Sequence, residues 1–300
     1  MLTTKLYRKL VAEYKWLKLN ASAQSKHLPF FMAEWLFRHA TAHYRGTANC
    51  AIVGAQKSGS SSLNYYLHQH PQVKQTFGKE LHYFTGSIIE NLDTYAKGGI
   101  WYQAHFPFKS SLKQSDICVD ATPLYLFNPL SAKRIYQSNP DFKIIALLRD
   151  PVDRAISHYF HSKKMGQETL SIEAALLKED ERLNNAITNK NYTDPAFRTH
   201  SYQARGLYWQ QIQNFLQYFD KEQMMFINSD DFFNETAQTM KQVFTFLGID
   251  KNYNIQDLSP KNIGKKKTTV SNEVYQQLSE YYRIPNQELY KGIKQTFDWK

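Results

Sequence analysis

Apolar residues recur at helical spacing near the start of the chain and gather into short runs further on. Leu6, Leu10, Tyr14 and Leu17 stand three or four apart with Lys and Arg between them, which predicts a basic amphipathic helix. A second apolar-aromatic cluster, Phe30 to Phe37, predicts another helix. From Ala48 the texture changes, and apolar runs at 49–53, 116–120, 143–148 and 224–228 read as strands. Lys143–Leu148 is the cleanest of these, with the pattern of a strand covered on both faces. Helical patterns follow at 63–70, after 150, at about 234–247 and at 270–283. Strands alternating with helices predict an α/β fold with a mainly parallel central sheet flanked by helices. Residues 166–205 are polar and charged and read as a helical or loop excursion from the sheet. The expected division is an N-terminal helical extension over 1–45 and one domain over 46–300.

Two readings of residues 1–45 stay open: a helical pair packed on the main domain, or a basic amphipathic segment lying on a membrane surface. No apolar run reaches the ~18–20 residues that span a bilayer, and the basic start lacks the apolar core of a secretory signal. The cytoplasm, with peripheral membrane contact through 1–45 as an option, is therefore the expected compartment. Composition adds limits. With 42% hydrophobic residues in 300, the chain has material for a core, and its 12 Gly and 10 Pro leave little for long linkers. The two cysteines, Cys50 and Cys118, sit in strand-like runs and cannot build a disulfide framework or a zinc cluster alone. Lys and Arg outnumber Asp and Glu by 37 to 27, giving a net charge of +10. That surplus favours an anionic partner but does not say whether it is nucleic acid, lipid, glycan or a phosphorylated ligand.

The segment Gly54-Ala-Gln-Lys57-Ser58-Gly59-Ser60-Ser61-Ser62-Leu63 joins a predicted strand to a predicted helix. A glycine-rich turn there points backbone N–H groups and a helix N-terminus at an anion. It is not a Walker A loop, which needs Lys directly after the second Gly and then Ser or Thr; here Ser60 follows Gly59 and the lysine lies inside, at Lys57. The fold class expected is thus P-loop-like with the charge relocated. Lys143–Leu148 ends in Arg149, a cation where a magnesium-binding acid would stand. An ordinary Gly/Ser turn is the plainer alternative.

Arg149-Asp150-Pro151 falls where a strand meets a helix, and Pro151 suits a first helical turn. Arg149 offers forked donors to a phosphate and Ser157, two turns on, one hydroxyl. A salt bridge from Arg149 to Asp153 is the structural alternative. Glu80 and His82 stand two apart, so in an extended segment both face one side and form a carboxylate–imidazole pair suited to removing a proton. A surface Lys79–Glu80 pair beside a structural histidine explains the same letters. Asp120 to Tyr125 follows the next strand and either lines the same cleft or forms a turn fixed by Pro123.

Together these segments resemble the sulfotransferases that use 3′-phosphoadenosine 5′-phosphosulfate (PAPS), from about Ala51 to Trp299. They are most similar to the heparan sulfate glucosaminyl O-sulfotransferases and their bacterial relatives, with further support in Gly99 to Tyr102, Phe106 to Phe108 and Thr296 to Trp299. The resemblance implies that Lys57, Ser58, Gly59, Ser60, Ser61 and Ser62 hold the phosphosulfate and that Arg149 and Ser157 hold the 3′-phosphate. It also implies that Lys265, in a basic loop at 261–267, closes over the nucleotide. Glu80 takes the general-base position with His82 beside it, and Lys57 stabilises charge on the leaving phosphate. The glucosaminyl enzymes carry a lysine just before the Thr-Pro of the Asp120–Tyr125 segment, where this chain has Ala121. The implied reaction moves a sulfuryl group from PAPS, without a metal, to an acceptor hydroxyl on a glycan or glycolipid. A small-molecule or lipid acceptor, an Mg-ATP-dependent kinase of P-loop type, and a basic polyanion-binding module are the alternatives. No nucleic-acid recognition motif is evident.

Overall fold

The computed structural model describes residues 2–23, 27–86, 89, 92–261 and 270–299. Its strands are β1 (Cys50–Gly54), β2 (Val73–Lys74), β3 (Ile117–Ala121), β4 (Lys143–Leu148) and β5 (Met224–Asn228). The helices are α1 (Leu2–Ala23), α2 (Leu28–Ala40), α3 (Ser60–Leu67), α4 (Gly98–Gln103), α5 (Ser131–Ser138), α6 (Pro151–Lys164) and α7 (Ile172–Leu177). They continue with α8 (Glu179–Thr188), α9 (Pro195–Thr199), α10 (Tyr208–Leu216), α11 (Ser229–Asn234), α12 (Thr236–Leu247) and α13 (Asn272–Ile293).

The strands pair in parallel as one sheet in the order β2-β3-β1-β4-β5. Alternate residues of each strand face opposite sides of a sheet, and both sides here are buried. Ala51 and Val53 of β1 join Ile144, Ala146 and Leu148 of β4 in one core cluster. Cys50, Ile52, Ile145 and Leu147 lie in the cluster on the other face. The first is closed by α5, α10 and α13, through Ile135, Phe215 and Leu289. The second is closed by α3 and α12, through Leu63, Tyr66 and Phe244. Both cysteines are buried free thiols, and burial pushes Cys50 up to about 12.

The four apolar runs are strands, but β2 was not foreseen. Val73 and Lys74 are too short a run to show periodicity, and pairing with Ile117 and Cys118 makes the strand. The last helix runs on through Pro285 to Ile293, past the expected end. Buried Leu289 and Ile293 offset the hydrogen bond that a proline inside a helix removes. Residues 166–205 are mainly helical, and α7 packs with α6 and α13 in a third cluster built on Ile172, Leu176, Tyr202 and Leu278. At the other end of the chain, Trp16 of α1 lies 4.8 Å from Trp35 of α2 and 5.3 Å from Trp101 of α4. An ion pair between Glu13 of α1 and Lys97, just before α4, lies in the same region. No helix among the described residues is long and apolar enough to cross a membrane.

Candidate active site

Strand order sets the site. β1 and β4 are parallel neighbours, with Gly54 in register with Ala146. Their carboxyl ends therefore release the glycine-serine loop and the Arg149 turn side by side, at the edge where open α/β sheets bind ligands. The loop backbone returns to the sheet through Ala55 N–H, which donates to the Leu147 carbonyl at 2.6 Å. Lys57 has φ 74° and Gly59 φ 106°. Only glycine fits at 59: a Cβ there would come within 2.8 Å of the Phe233 ring. Gly59 caps α3, and its carbonyl accepts from the Ser62 and Leu63 N–H groups at 3.0 and 3.1 Å; a helix N-terminus leaves its first N–H groups without helical partners. Ser229 Oγ donates to the Ser58 carbonyl at 2.8 Å and steadies the turn from β5's side.

The serines divide by role. The Ser62 hydroxyl is buried and holds the Lys261 backbone, accepting from its N–H at 2.9 Å and donating to its carbonyl at 3.3 Å. It anchors the start of the basic segment to α3. Lys265, Lys266 and Lys267 lie outside the described residues.

Arg149 donates to Asp153 at 2.9 Å, so the structural alternative read from the sequence is present. Asp153 is half-exposed, and a surface pair of this kind is worth about 0–1 kcal/mol, little to set against a doubly charged phosphate. Arg149 Nη1 also reaches the Lys57 carbonyl at 3.5 Å. The turn itself is firmly built: Asp150 caps α6 by accepting from Val152 N–H at 2.8 Å, and Pro151 fills the first turn. Ser157 stands two turns further along α6, partly exposed. Burial, then the charges of Arg149 and Lys164, hold the Lys57 ammonium below its usual value. This is a site short of negative charge.

Glu80 and His82 meet, though not through an extended segment. Both have positive φ, 46° and 51°, and His82 Nε2 lies 3.5 Å from Glu80 Oε2. Non-glycine residues in that region cost of order 1–3 kcal/mol each and persist where the surroundings hold them. The holding groups are Thr85 and Thr94, whose hydroxyls donate to the His82 carbonyl at 2.9 and 3.0 Å. His82 is buried, while the Glu80 side chain is 53% exposed. Desolvation works against the Glu80 charge, but the His82 hydrogen bond and the charges of His82, Lys79 and His161 outweigh it. The carboxyl is held below its usual range.

His161 links the halves. Burial and the charges of Lys57 and Lys164 lower its pKa while Glu80 raises it, so donor loop and carboxylate act on one imidazole. Asp120, by contrast, is a buried scaffold residue. It accepts from Thr122, Tyr125 and Tyr102 at 2.8, 2.8 and 3.0 Å, and burial raises its pKa against those bonds.

Four further basic residues arrive by packing that no local motif announces. Lys164 and His161 come from the far end of α6 and Arg198 from α9, where Glu80 pulls against the desolvation that lowers its pKa. Arg205 is buried. It donates to Ser201 Oγ at 2.7 Å, to the Arg198 carbonyl at 2.9 Å and to Gln56 Oε1 of the loop. Among the described residues no group of three or more His, Cys, Asp or Glu is placed to hold a metal ion.

Fold and site thus define an α/β protein with a glycine-serine loop and crowded cations at the carboxyl edge of its sheet. A sulfotransferase domain model matches residues 48–298, and the chain belongs to the sulfotransferase family. It is 24% identical over 321 residues to the membrane-associated sulfotransferase kil1 of Dictyostelium discoideum, covering 84% of this chain and 66% of that protein. It is 28% identical over 272 residues to heparan sulfate glucosamine 3-O-sulfotransferase 3B1 of Mus musculus, covering 83% and 64%. The chain therefore spans just under two thirds of the length of these relatives. A crystal structure of a sulfotransferase from Alicyclobacillus acidocaldarius superposes with a TM-score of 0.67 at 28% identity, covering 84% of this chain and 98% of that one.

Proposed function

We propose that the protein is a PAPS-dependent sulfotransferase that moves a sulfuryl group to an acceptor hydroxyl on a glycan or glycolipid. The observation that supports this reading is the left-handed turn at Lys57 and Gly59 beside Arg149 at the carboxyl ends of β1 and β4, with Arg149 Nη1 3.5 Å from the Lys57 carbonyl; the charges of Lys57 and Glu80 both act on His161. The residues fit the donor. The turn at Gly59 has no room for a side chain, the N-terminus of α3 offers N–H groups, and the cations outnumber the acids. Lys57 and the loop from Ser58 to Ser61 would hold the phosphosulfate end, Arg149 and Ser157 the 3′-phosphate. Lys265 would close the site from the segment that Ser62 fastens at Lys261.

Bound PAPS supplies the sulfuryl group and a phosphate leaving group. Glu80, ionised at neutral pH, takes the proton of the acceptor hydroxyl, work worth about 10²–10⁴-fold for a positioned base. His82 fixes the Glu80 carboxylate, with its own backbone pinned by Thr85 and Thr94. Lys57, desolvated and fixed by the left-handed turn, meets negative charge as it builds on the loop side. The name of the mouse relative supports a glycan acceptor, and Ala121 marks a departure from the enzymes that act on heparan sulfate.

In this reading residues 46–300 are the catalytic domain and 1–45 a helical extension stitched to it by Trp16, Phe31 and Trp35. The enzyme works in the cytoplasm, with the extension in peripheral contact with a membrane. The membrane-associated name of the Dictyostelium relative supports that contact. The test is transfer of labelled sulfate from PAPS to a panel of polysaccharides, glycolipids and small alcohols. Label appears in a glycan or glycolipid with the native enzyme and not with Glu80→Gln. Transfer by Glu80→Gln at the native rate would remove the base assignment, and label in small alcohols alone would remove the glycan.

A further inference from the structure

Helix α2 carries one face without charged residues of its own, with the Arg45 guanidinium 5.7 Å from the Phe37 ring at one end. Pro29, Met32, Ala33, Leu36, Phe37 and Ala40 recur at three- and four-residue steps, and all six are exposed. Leu36 is 65% and Phe37 58% exposed, and Phe30 beside them is 73% exposed. The charged residues of the helix, Glu34 and Arg38, lie off this face and pair with each other at 3.0 Å. A contiguous exposed apolar face of this kind marks a contact surface.

Helix α1 says what contacts it. Its outward side combines Tyr7, Leu10 and Tyr14 with Arg8, Lys15 and Lys18, all exposed. Glu13 is the one acid in the helix and is taken by Lys97. The inward stripes of the two helices, Trp16 on α1 with Phe31 and Trp35 on α2, enter the same aromatic cluster. Both outward faces therefore turn away from one core. An apolar face beside a basic, tyrosine-bearing one matches the layering of an anionic bilayer surface, with acyl chains below and phosphates above. A second copy of the chain would bring α1's cations against themselves.

We propose that α1 and α2 form an in-plane docking surface for membranes containing anionic lipid. Leu36 and Phe37 enter the acyl boundary, and Arg8, Lys15 and Lys18 meet the lipid phosphates. This deepens the peripheral-contact part of the reading above and names the lipid and the face.

The test is flotation of the full chain with vesicles of phosphatidylcholine alone or mixed with phosphatidylglycerol. The chain floats with the mixed vesicles, and added salt weakens the binding. Leu36→Glu with Phe37→Glu abolishes flotation. Lys15→Glu with Lys18→Glu lowers binding to the mixed vesicles by at least about tenfold, as expected for reversing two interfacial charges. Both pairs of positions are exposed, and circular dichroism melting checks that the variants stay folded. Absence of flotation, or equal flotation of the Leu36→Glu, Phe37→Glu variant, overturns the proposal. So does a native dimer that this variant dissociates without any vesicle binding, which assigns the face to a second copy. Flotation without binding of adenosine 3′,5′-bisphosphate would overturn the sulfotransferase reading alone, and nucleotide binding without flotation the docking alone.

Discussion

The glycine-serine loop with the Arg149 turn and the buried acids of the excursion at 166–205 treat charge oppositely. In the excursion, Glu168 is buried and accepts from Arg182 at 2.5 and 3.2 Å, from the Tyr202 hydroxyl at 2.9 Å and from two backbone N–H groups. Glu179 is buried on the N–H groups of Gln203 and Ala204 at 2.6 and 2.8 Å. On the donor side Lys57 is crowded by Arg149 and Lys164, and Arg149 has one half-exposed carboxylate. Buried acids held by several partners belong to the scaffold. In the proposed reading, charges crowded with their own kind await a ligand that supplies the missing sign.

Substitutions should separate the two regions. The largest effect is expected at Glu80→Gln, which should lower turnover about 10²–10⁴-fold while leaving adenosine 3′,5′-bisphosphate affinity unchanged by calorimetry. Lys57→Ala should lower turnover about 10²–10³-fold, the scale of a lost charge-stabilising group, with the melting temperature unchanged or raised because a desolvated cation is removed.

The excursion should answer in stability. Desolvation opposes the Glu168 charge, but Arg182, the Leu170 N–H and Tyr202 bring its pKa down to about 2. Its stabilisation is present above the unfolded carboxyl value and is lost as pH falls towards 2, a span of about 3 kcal/mol. Burial pushes Glu179 the other way, to about 7 against its two backbone bonds. Its contribution is present below the unfolded value and is lost as pH rises through 7, again about 3 kcal/mol. Melting temperature followed from pH 2 to 9 should lose part of its fall below pH 4.5 in Glu168→Gln and its fall between pH 4.5 and 7 in Glu179→Gln. An unchanged profile in either variant would break the contrast. The smallest effect belongs to the seam. Gln56→Ala frees one Arg205 contact and should raise the KM for PAPS by about tenfold, through a loosened loop, while changing kcat less.

The legible parts of the molecule were those whose chemistry is local. A strand buried on both faces must be apolar, so β1, β3, β4 and β5 stood out. Glycines in a loop between a strand and a helix mark a tight turn, so Gly59 stood out as well, although the positive φ at Lys57 did not. Glu80 and His82 were legible as a pair but not in their backbone, because positive φ at a glutamate and a histidine is imposed by packing and by Thr85 and Thr94. Ser62 looked like its neighbours in sequence, and helix geometry turned its hydroxyl to Lys261 instead. His161, Arg198 and Arg205 carry no motif, since contacts made far along the chain bring them to the cleft.

The central claim is that the crowded cations await a donor with phosphates at both ends of a nucleoside. Calorimetric titration with adenosine 3′,5′-bisphosphate, without magnesium, tests it most directly. The account predicts one-to-one binding that Arg149→Ala weakens by at least about tenfold, as expected for loss of a charge-assisted pair. Binding of Mg-ATP with no response to the bisphosphate would contradict it.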